Sequence, residues 1–397
     1  MTARQISAAI LQELIGFASV SANSNLDIIA YVEARLAFAG IAARRIPDAT
    51  GRKASLLATI GPQNRAGIVL SAHTDVVPAN EAGWTSPPFI ASLRDGRLYG
   101  RGASDMKGFI ASILAQLDRF RRAATETPVH VAFSYDEEIG CRGAPDLVAA
   151  VAALPVMPAL CIVGEPTSLH VACAHKGKIA FRIEVTGRSG HSALPHRAAN
   201  AVMAAARIAA MLDDLAAVVA RSGQTDRSFD PPYTTIHVGS LHGGTALNLV
   251  PDQAVLEFEI RTIPQAGADV ARLLKQIETG IAEQRAALKR SAPEADITVE
   301  EIAAYPHLGT PVDHPAIAAV ARLAGSEAKP RTVSFGTEAG LYAEAGIPTV
   351  ICGPGDMTRA HRADEWIGLA ELDATDRMFE RLAAQLGRPA DEWMTLS

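Results

Sequence analysis

The chain has 397 residues, of which 48% are hydrophobic and 20% are charged, a balance typical of a globular protein. It carries 37 basic and 43 acidic side chains, for a formal net charge of −6, and no long basic run, which argues against nucleic acid or an anionic membrane as the main partner. This length favours two or more domains and allows a large core without disulfides.

The N-terminal segment and the cysteines indicate a cytoplasmic protein. Residues 1–17 predict an amphipathic helix, and Gln12 and Glu13 interrupt its apolar residues, so no signal-peptide core forms. The four cysteines are irregularly spaced and form no CxxC pair, which favours reduced, buried thiols. The uncharged stretch 147–163 approaches the length of a membrane span, but two prolines divide it. We therefore expect no membrane partner.

The first third of the chain alternates short apolar runs with helical runs. This alternation is typical of an α/β domain with a largely parallel sheet, in which ligands gather at the carboxyl ends of the strands. The pattern predicts strands at 55–60, 67–72, 129–134 and 159–163, and helices at 108–122 and 144–152.

The middle of the chain has a different order of elements. It predicts strands at 178–186, 234–240 and 254–261, and helices at 198–215 and 270–289. This order is typical of a small α+β sandwich, and the α/β rhythm returns after Pro293. The predicted fold class is therefore α/β, with one discontinuous domain around a mostly parallel central sheet and an inserted α+β sandwich domain. The expected bounds are 1–177 and 292–397 for the discontinuous domain and 178–291 for the insertion.

A histidine and an aspartate follow the predicted strand 67–72. In an extended chain, residues two apart point the same way, so Asp75 can support the His73 imidazole as a carboxylate supports a metal-bound histidine. A polar turn at a strand end explains the same residues without a metal.

Carboxylates stand beside two further predicted elements. Asp105 lies near the start of the helix at 108–122, where the helix dipole favours an anion and an ordinary N-cap is the alternative. Glu137 and Glu138 follow the strand 129–134, and adjacent carboxylates repel one another unless cations hold them. A solvated acidic turn is the plain alternative, but a dinuclear site needs one carboxylate ligand and one free base.

Two more residues complete a ligand set. Glu165 ends the strand predicted at 159–163, and His361 follows a strand predicted at 348–352. Each motif is weak alone, but together they supply two imidazoles and three carboxylates in order at successive strand ends. Such a set suits zinc, and also cobalt or manganese.

The chain resembles a dinuclear zinc family that includes acetylornithine deacetylase, succinyl-diaminopimelate desuccinylase, glutamate carboxypeptidase and aminoacylase, and the first of these most of all. The resemblance extends from about residue 70 to residue 366. It is carried by the strings HTDVVP, GRGASDMKG, DEEIGCRGAP, GEPTSL, AHKGK, GHSALPHRAANA, HGGTALNLVPD, RTIP, SFGTEAG and GPGDMTRAHRADEW.

The resemblance implies a metal centre with two Zn²⁺ ions, for which Co²⁺ or Mn²⁺ can substitute. His73 and Glu165 would hold one ion, and Glu138 and His361 would hold the other. Asp105 would bridge the two.

The resemblance also implies roles for residues that do not hold metal. Glu137 would be the general base, and Asp75 would support His73. The discontinuous α/β domain would be the catalytic domain, and the inserted sandwich would be a lid and dimerisation domain. His191, in the inserted domain, would reach the active site of a partner subunit and stabilise the oxyanion, so a homodimer is expected. The substrate's carboxylate and backbone would be bound by Asn248, Arg261, Gly336 and Thr337. For Arg261 an alternative remains, a surface ion pair with Glu257 or Glu259.

The implied activity is metal-dependent hydrolysis of the amide bond of a small N-acyl amino acid. The leading substrate is N2-acetyl-L-ornithine, cleaved to L-ornithine and acetate in arginine biosynthesis. Two alternatives share the chemistry: a related deacylase or desuccinylase, and a metallo-exopeptidase acting as a dipeptidase or carboxypeptidase. A non-catalytic metal-binding or peptide-binding protein is a further alternative, but binding alone needs no spare base such as Glu137.

Overall fold

The computed structural model describes residues 3–80, 82–327 and 329–395. The chain divides into two compact units. The first unit comprises the residues up to Ala174, Leu308–Thr332, and the residues from Thr337 onward. The second unit, called the inserted unit below, comprises His175–His307 and Val333–Gly336.

The strands and helices are numbered in chain order. The strands are β1 Ala43–Pro47, β2 Ala54–Ile60, β3 Ile68–His73, β4 Ser92–Arg94, β5 Arg97–Tyr99, β6 Val129–Ser134, β7 Leu160–Pro166, β8 Ala172–His175, β9 Gly177–Thr186, β10 Gly190–His191, β11 Thr235–Gly243, β12 Leu249–Val250, β13 Gln253–Thr262, β14 Asp296–Tyr305, β15 Leu308–Gly309, β16 Arg331–Val333, β17 Thr349–Gly353 and β18 Trp366–Gly368. The α-helices are α1 Ala3–Ile15, α2 Leu26–Phe38, α3 Gly108–Ala115, α4 Leu117–Ala123, α5 Ala144–Ala152, α6 Ala201–Ser222, α7 Gly267–Ser291, α8 Pro315–Ala324, α9 Ala339–Glu344, α10 Leu369–Ala383 and α11 Ala390–Met394.

A large sheet forms the centre of the first unit. Its main strand order is β1-β2-β6-β3-β7-β17-β8-β15, and β16 pairs with β8. The four central strands, β6, β3, β7 and β17, are parallel to their neighbours within this group, whereas β1, β2 and β8 pair antiparallel. Every residue of β3, β6 and β7 is buried, as expected for parallel strands that are covered on both faces. The predicted α/β class with a mostly parallel central sheet is confirmed.

Helices pack in two groups against this sheet. Helices α1, α3 and α10 contact one another, and α5 contacts α9, β2 and β6. The helix predicted at 108–122 is two helices, because the chain leaves helical geometry at Gln116. A distorted helical turn, Ala103–Lys107, leads from the small sheet β4-β5-β18 into α3.

The inserted unit is an α+β sandwich. Its antiparallel sheet has the order β11-β13-β9-β14, and α6 and α7 pack on one face over a core of aliphatic side chains. Strand β14 lies beyond the bound of 291 expected from the sequence, and it pairs with β9 along its whole length, so the compact unit extends to His307. The two-residue strands β10 and β12 form a separate pair.

The cysteines agree with the expectation of buried thiols. All four are buried. Within the described residues, no helix combines the length and the apolar character needed to span a membrane.

Candidate active site

His73 lies at the end of the buried strand β3, and both of its ring nitrogens have partners. Nδ1 is 2.9 Å from the main-chain oxygen of Asp75, and Nε2 is 3.1 Å from Oδ1 of Asp105. Oε1 of Glu165, at the end of the neighbouring strand β7, is 3.7 Å from the same Nε2. The carboxyl ends of two parallel strands therefore bring a histidine and a glutamate together, as the sequence predicts.

Asp105 stands between the two histidines. Its Oδ1 faces His73, and its Oδ2 is 3.2 Å from Nε2 of His361. His361 Nε2 is also 3.0 Å from Oε2 of Glu138, which closes the cluster. The sequence analysis placed Asp105 among residues at successive strand ends, but in the structure Asp105 does not follow a strand of the central sheet. It lies in the turn between β5 and α3, where its own backbone angles are non-helical.

The adjacent glutamates follow β6, and Asp75 fixes their position. The Asp75 carboxylate accepts hydrogen bonds from the main-chain N–H of Glu137 at 3.1 Å, from that of Glu138 at 3.3 Å, and from the Ser21 hydroxyl at 2.6 Å. Its nearer oxygen is 3.6 Å from His73 Nδ1, beyond hydrogen-bond distance. The Asp75 carbonyl thus contacts His73 Nδ1 at hydrogen-bond distance, and the Asp75 carboxylate lies at ion-pair distance from the same nitrogen while it holds the glutamate turn.

The electrostatics of the cluster favour bound cations. Burial raises the pKa of Glu137 to about 8 and the pKa of Glu138 to about 7, and the Asp105 carboxylate adds to both shifts. Burial also raises the pKa of Glu165 well above its usual range. Hydrogen bonds to Asp105 and Glu138 raise the pKa of His361 to about 10. Four carboxylates share one buried space, and within the described residues no lysine or arginine forms an ion pair with them.

The donor atoms are close enough to hold metal. The ligand atoms of His73, Glu137 and Glu165 lie within 4.8 Å of one another, and so do those of His73, Asp105 and Glu138. Imidazole nitrogens and carboxylate oxygens are the donors that zinc, cobalt and manganese accept, so this set fits divalent metal ions. Distance alone does not separate a base from a ligand, because Glu137 belongs to one of these groups.

The inserted unit carries the other predicted residues except Thr337. His191 lies in β10 and Asn248 directly precedes β12, and the carbonyl of Asn248 accepts a hydrogen bond from Ser192 N. The pairing of these two short strands therefore brings His191 and Asn248 into one exposed corner of the unit.

Arg261 is already engaged by protein groups. Its Nε and Nη2 donate to the two oxygens of Glu259 at 2.8 and 3.2 Å, and its Nη1 donates to the Tyr305 hydroxyl at 2.7 Å. The Glu259 ion pair is the alternative that the sequence left open. Gly336 packs on the same tyrosine, since a Cβ there would lie 2.1 Å from the Tyr305 ring. The Thr337 hydroxyl, in the first unit, accepts from Ala339 N at the start of α9.

Comparison with known proteins decides the family. The model of peptidase family M20/M25/M40 matches residues 69–385. The chain belongs to this family. Acetylornithine deacetylase of Myxococcus xanthus is 36% identical over 383 residues, which cover 95% of this chain and 96% of that protein. Acetylornithine deacetylase of Proteus mirabilis is 33% identical over 342 residues, with 85% and 83% covered.

Solved structures of M20 proteins share the fold. An M20 metallo-carboxypeptidase from Sulfolobus solfataricus superposes with a TM-score of 0.76 at 17% identity, over 96% of this chain and 99% of that one. A dinuclear metal-binding M20 peptidase from Bacillus subtilis gives a TM-score of 0.61 at 18% identity, over 96% and 97%. By its family match and its curated relatives the chain is an M20 hydrolase, and it spans 96% of the Myxococcus xanthus protein and 83% of the Proteus mirabilis protein.

Two buried carboxylates of this M20 hydrolase escaped the sequence interpretation. Glu365 accepts hydrogen bonds from the loop that carries Asp105. Glu338 accepts from Ser71 Oγ at 2.5 Å and from Ser134 Oγ at 2.6 Å, and so links β3 to β6. Glu338 and Glu365 stand in the strings SFGTEAG and GPGDMTRAHRADEW noted above, but their partners lie far away in the sequence, so only the fold reveals these contacts.

Proposed function

We propose that the protein hydrolyses N2-acetyl-L-ornithine to L-ornithine and acetate in a metal-dependent reaction, as a step of arginine biosynthesis in the cytoplasm. The observation that carries the proposal is the cluster in which the buried Asp105 contacts both histidines through its two carboxylate oxygens. The curated relatives named acetylornithine deacetylase, at 36% and 33% identity, support this substrate over a peptide.

The proposed centre holds two zinc ions, with cobalt or manganese as possible substitutes. His73 and Glu165 would bind one ion, Glu138 and His361 the other, and Asp105 would bridge them. The contact of Glu138 with His361 and the approach of Glu165 to His73 support this division. When bound, the metals would polarise the acyl carbonyl and acidify the attacking water.

Glu137 is the proposed general base. Its side chain is buried beside His73 and has no hydrogen bond to His361, unlike Glu138. It would take a proton from the attacking water and return it to the leaving amine, the usual double role of one acid–base group. The backbone of Glu137 is held by Asp75, so the carboxylate is positioned before the substrate arrives.

His191 and the substrate-binding residues belong to the inserted unit, except Thr337. In the proposal the unit acts as a lid, and His191 of a partner subunit donates a hydrogen bond to the developing oxyanion. Arg261, with Asn248, Gly336 and Thr337, would bind the substrate carboxylate. Glu259 pairs with both Arg261 and Lys178, at 2.8 and 3.2 Å. Lys178 and Arg261 carry two positive charges and Glu259 carries one negative charge, so one positive charge is left to attract a substrate carboxylate.

The exposed surface of the inserted unit supports a homodimer. Strand β11 is at the edge of its sheet, and large apolar side chains are exposed on it and beside it: Met203, Leu241, Leu247 and Leu249. Exposed apolar groups next to a free strand edge favour association with a second copy.

Subunit exchange tests the role of His191. Inactive His191→Ala protein mixed with inactive Glu137→Gln protein should regain partial activity after reversible dissociation, because one mixed site then holds both functional residues. Confirmed exchange with no recovery would contradict the action of His191 in the partner's site.

Substrate comparison tests the function. The ratio kcat/KM should be highest for N-acetylornithine, lower for N-acetylmethionine, and lower still for the α-amide of N-acetylornithine. Loss of the carboxylate leaves a charged partner unpaired, which costs about 2–5 kcal/mol. Equal rates on acid and amide would contradict carboxylate binding by Arg261, and a preference for dipeptides would contradict the deacetylase assignment.

A further inference from the structure

Glu365 is a buried carboxylate that belongs to neither the proposed ligands nor the proposed base. Its Oε1 accepts hydrogen bonds from Ser104 N at 2.9 Å and from Asp105 N at 3.1 Å. Its Oε2 accepts from Gly102 N at 3.0 Å and from Arg101 Nη1 at 2.9 Å. One side chain therefore satisfies three main-chain amides and a guanidinium in a single loop.

The loop that receives these bonds has little other regular structure. Gly102 has a φ of 82°, and Asp105 has φ −124° and ψ 94°, so the backbone departs from regular helical geometry at both residues. The rotation of the Asp105 carboxylate between His73 and His361 depends on this backbone. A hydrogen bond to the Asp105 amide is the most direct way to set it.

Glu365 also belongs to the segment that presents His361. Only three residues separate the two, and the segment has left-handed backbone at His361 and at Asp364, with φ of 57° and 55°. Glu365 therefore ties the segment that carries one histidine to the loop that carries the aspartate facing it. This link joins two of the three side chains that meet at His361 Nε2.

The ion pair of Glu365 with Arg101 is fully buried, with 1% of each side chain exposed. Burial of two charges costs free energy that their attraction recovers only in part, so such a pair contributes little net stability. The pair is better explained by the geometry that it imposes on the loop.

We propose that Glu365 is a positioning residue that sets the Asp105 carboxylate between His73 and His361 and thereby determines metal affinity. This inference rests on the proposed metal-dependent function. Loss of a residue that hydrogen-bonds a metal ligand without touching the metal itself lowers metal affinity by about 10–100-fold.

The test compares Glu365→Gln with Asp376→Asn. Asp376 is another buried carboxylate of the first unit; it lies in α10 and accepts a hydrogen bond from the Ser7 hydroxyl of α1 at 2.6 Å. Metal-depleted proteins are titrated with Zn²⁺ and Co²⁺ by calorimetry, and Tm, kcat and KM are measured alongside.

Glu365→Gln should raise the metal Kd about 10–100-fold. It should also alter the visible absorption of bound Co²⁺, while KM at saturating metal stays within about twofold of wild type. Asp376→Asn should leave metal affinity and the Co²⁺ spectrum unchanged.

Other outcomes are equally decisive. An unchanged metal Kd and Co²⁺ spectrum in Glu365→Gln, with a lower Tm, would reduce Glu365 to a structural role and overturn the inference. If that variant does not fold, Glu365→Asp keeps the charge for Arg101 and withdraws the carboxylate by one methylene, and the same loss of affinity is expected. Wild-type protein that binds no divalent metal would instead overturn the proposed function itself.

Discussion

Neighbouring glutamates in this site have different surroundings and therefore different expected roles. Glu138 contacts His361, whereas Glu137 accepts only the Cys141 thiol, at 3.4 Å, as a side-chain hydrogen-bond donor among the described residues. Glu137→Gln should keep its metal and lose kcat by about 10²–10⁴-fold, the range for a lost general base. Glu138→Gln should instead lose metal. Steady-state rates and metal content per subunit check both, and near-normal turnover in Glu137→Gln would show that the base is another group.

The raised pKa values in the candidate metal site predict how metal binding depends on pH. The pKa of Glu137 is about 8 and that of His361 about 10, so at pH 7 the metal-free site carries protons that a bound cation must displace. Metal affinity should therefore rise between pH 6 and pH 8, with release of about one to two protons at pH 7. Titration calorimetry in buffers of different ionisation enthalpy measures this release. A binding enthalpy independent of the buffer would contradict it.

At the residue scale, the sequence located the polar side chains better than it located their partners. His73, Asp105, Glu138, Glu165 and His361 were expected together, and the structure brings them together. The pairing of Arg261 with Glu259 and the bonds of Glu365 depend on loops and strands meeting in space. Local spacing does not encode such contacts.

At the scale of secondary structure, the ends of β3 and β6 position site residues, and hydrogen bonds from both strands to Glu338 hold the two strands together. Strands β3 and β6 deliver His73 and the adjacent glutamates, and the buried Glu338 bonds to a serine on each strand. Glu338→Ala should leave two buried hydroxyls without this acceptor and lower the free energy of unfolding by about 2–4 kcal/mol. Glu344→Ala, at the exposed end of α9, the helix that begins directly after Glu338, is the matched control and should change this free energy by less than about 0.5 kcal/mol. If denaturant unfolding gives the same free energy of unfolding for both variants, Glu338 does not stabilise the pairing of β3 and β6.

Strands were predictable from the sequence where their apolar residues form a run or an alternation. The fully buried strands β3, β6 and β7 were found within a few residues, because uninterrupted apolar runs between turns admit few other structures. Strand β14 was missed, since Thr298 to Glu301 are exposed and largely polar and give no apolar alternation. Its identity as a strand comes from pairing with β9, a contact between residues more than a hundred positions apart.

At the scale of the whole molecule, the chain places the candidate metal cluster in the first unit and most of the proposed substrate-binding residues in the inserted unit. The order of strands and helices predicted this division into an α/β unit and an α+β sandwich. The lid and dimerisation roles of the inserted unit remain proposals, since they concern a second subunit.

Metal dependence is the central claim, and one measurement tests it directly. The purified protein is dialysed against a strong chelator, its residual metal is quantified, and hydrolysis of N-acetylornithine is followed as Zn²⁺ or Co²⁺ is added back. Activity should disappear with the metal and return in proportion to metal bound, up to two ions per subunit, because Asp105 can join two sites through its two oxygens. Full activity in protein shown to be metal-free would contradict the account.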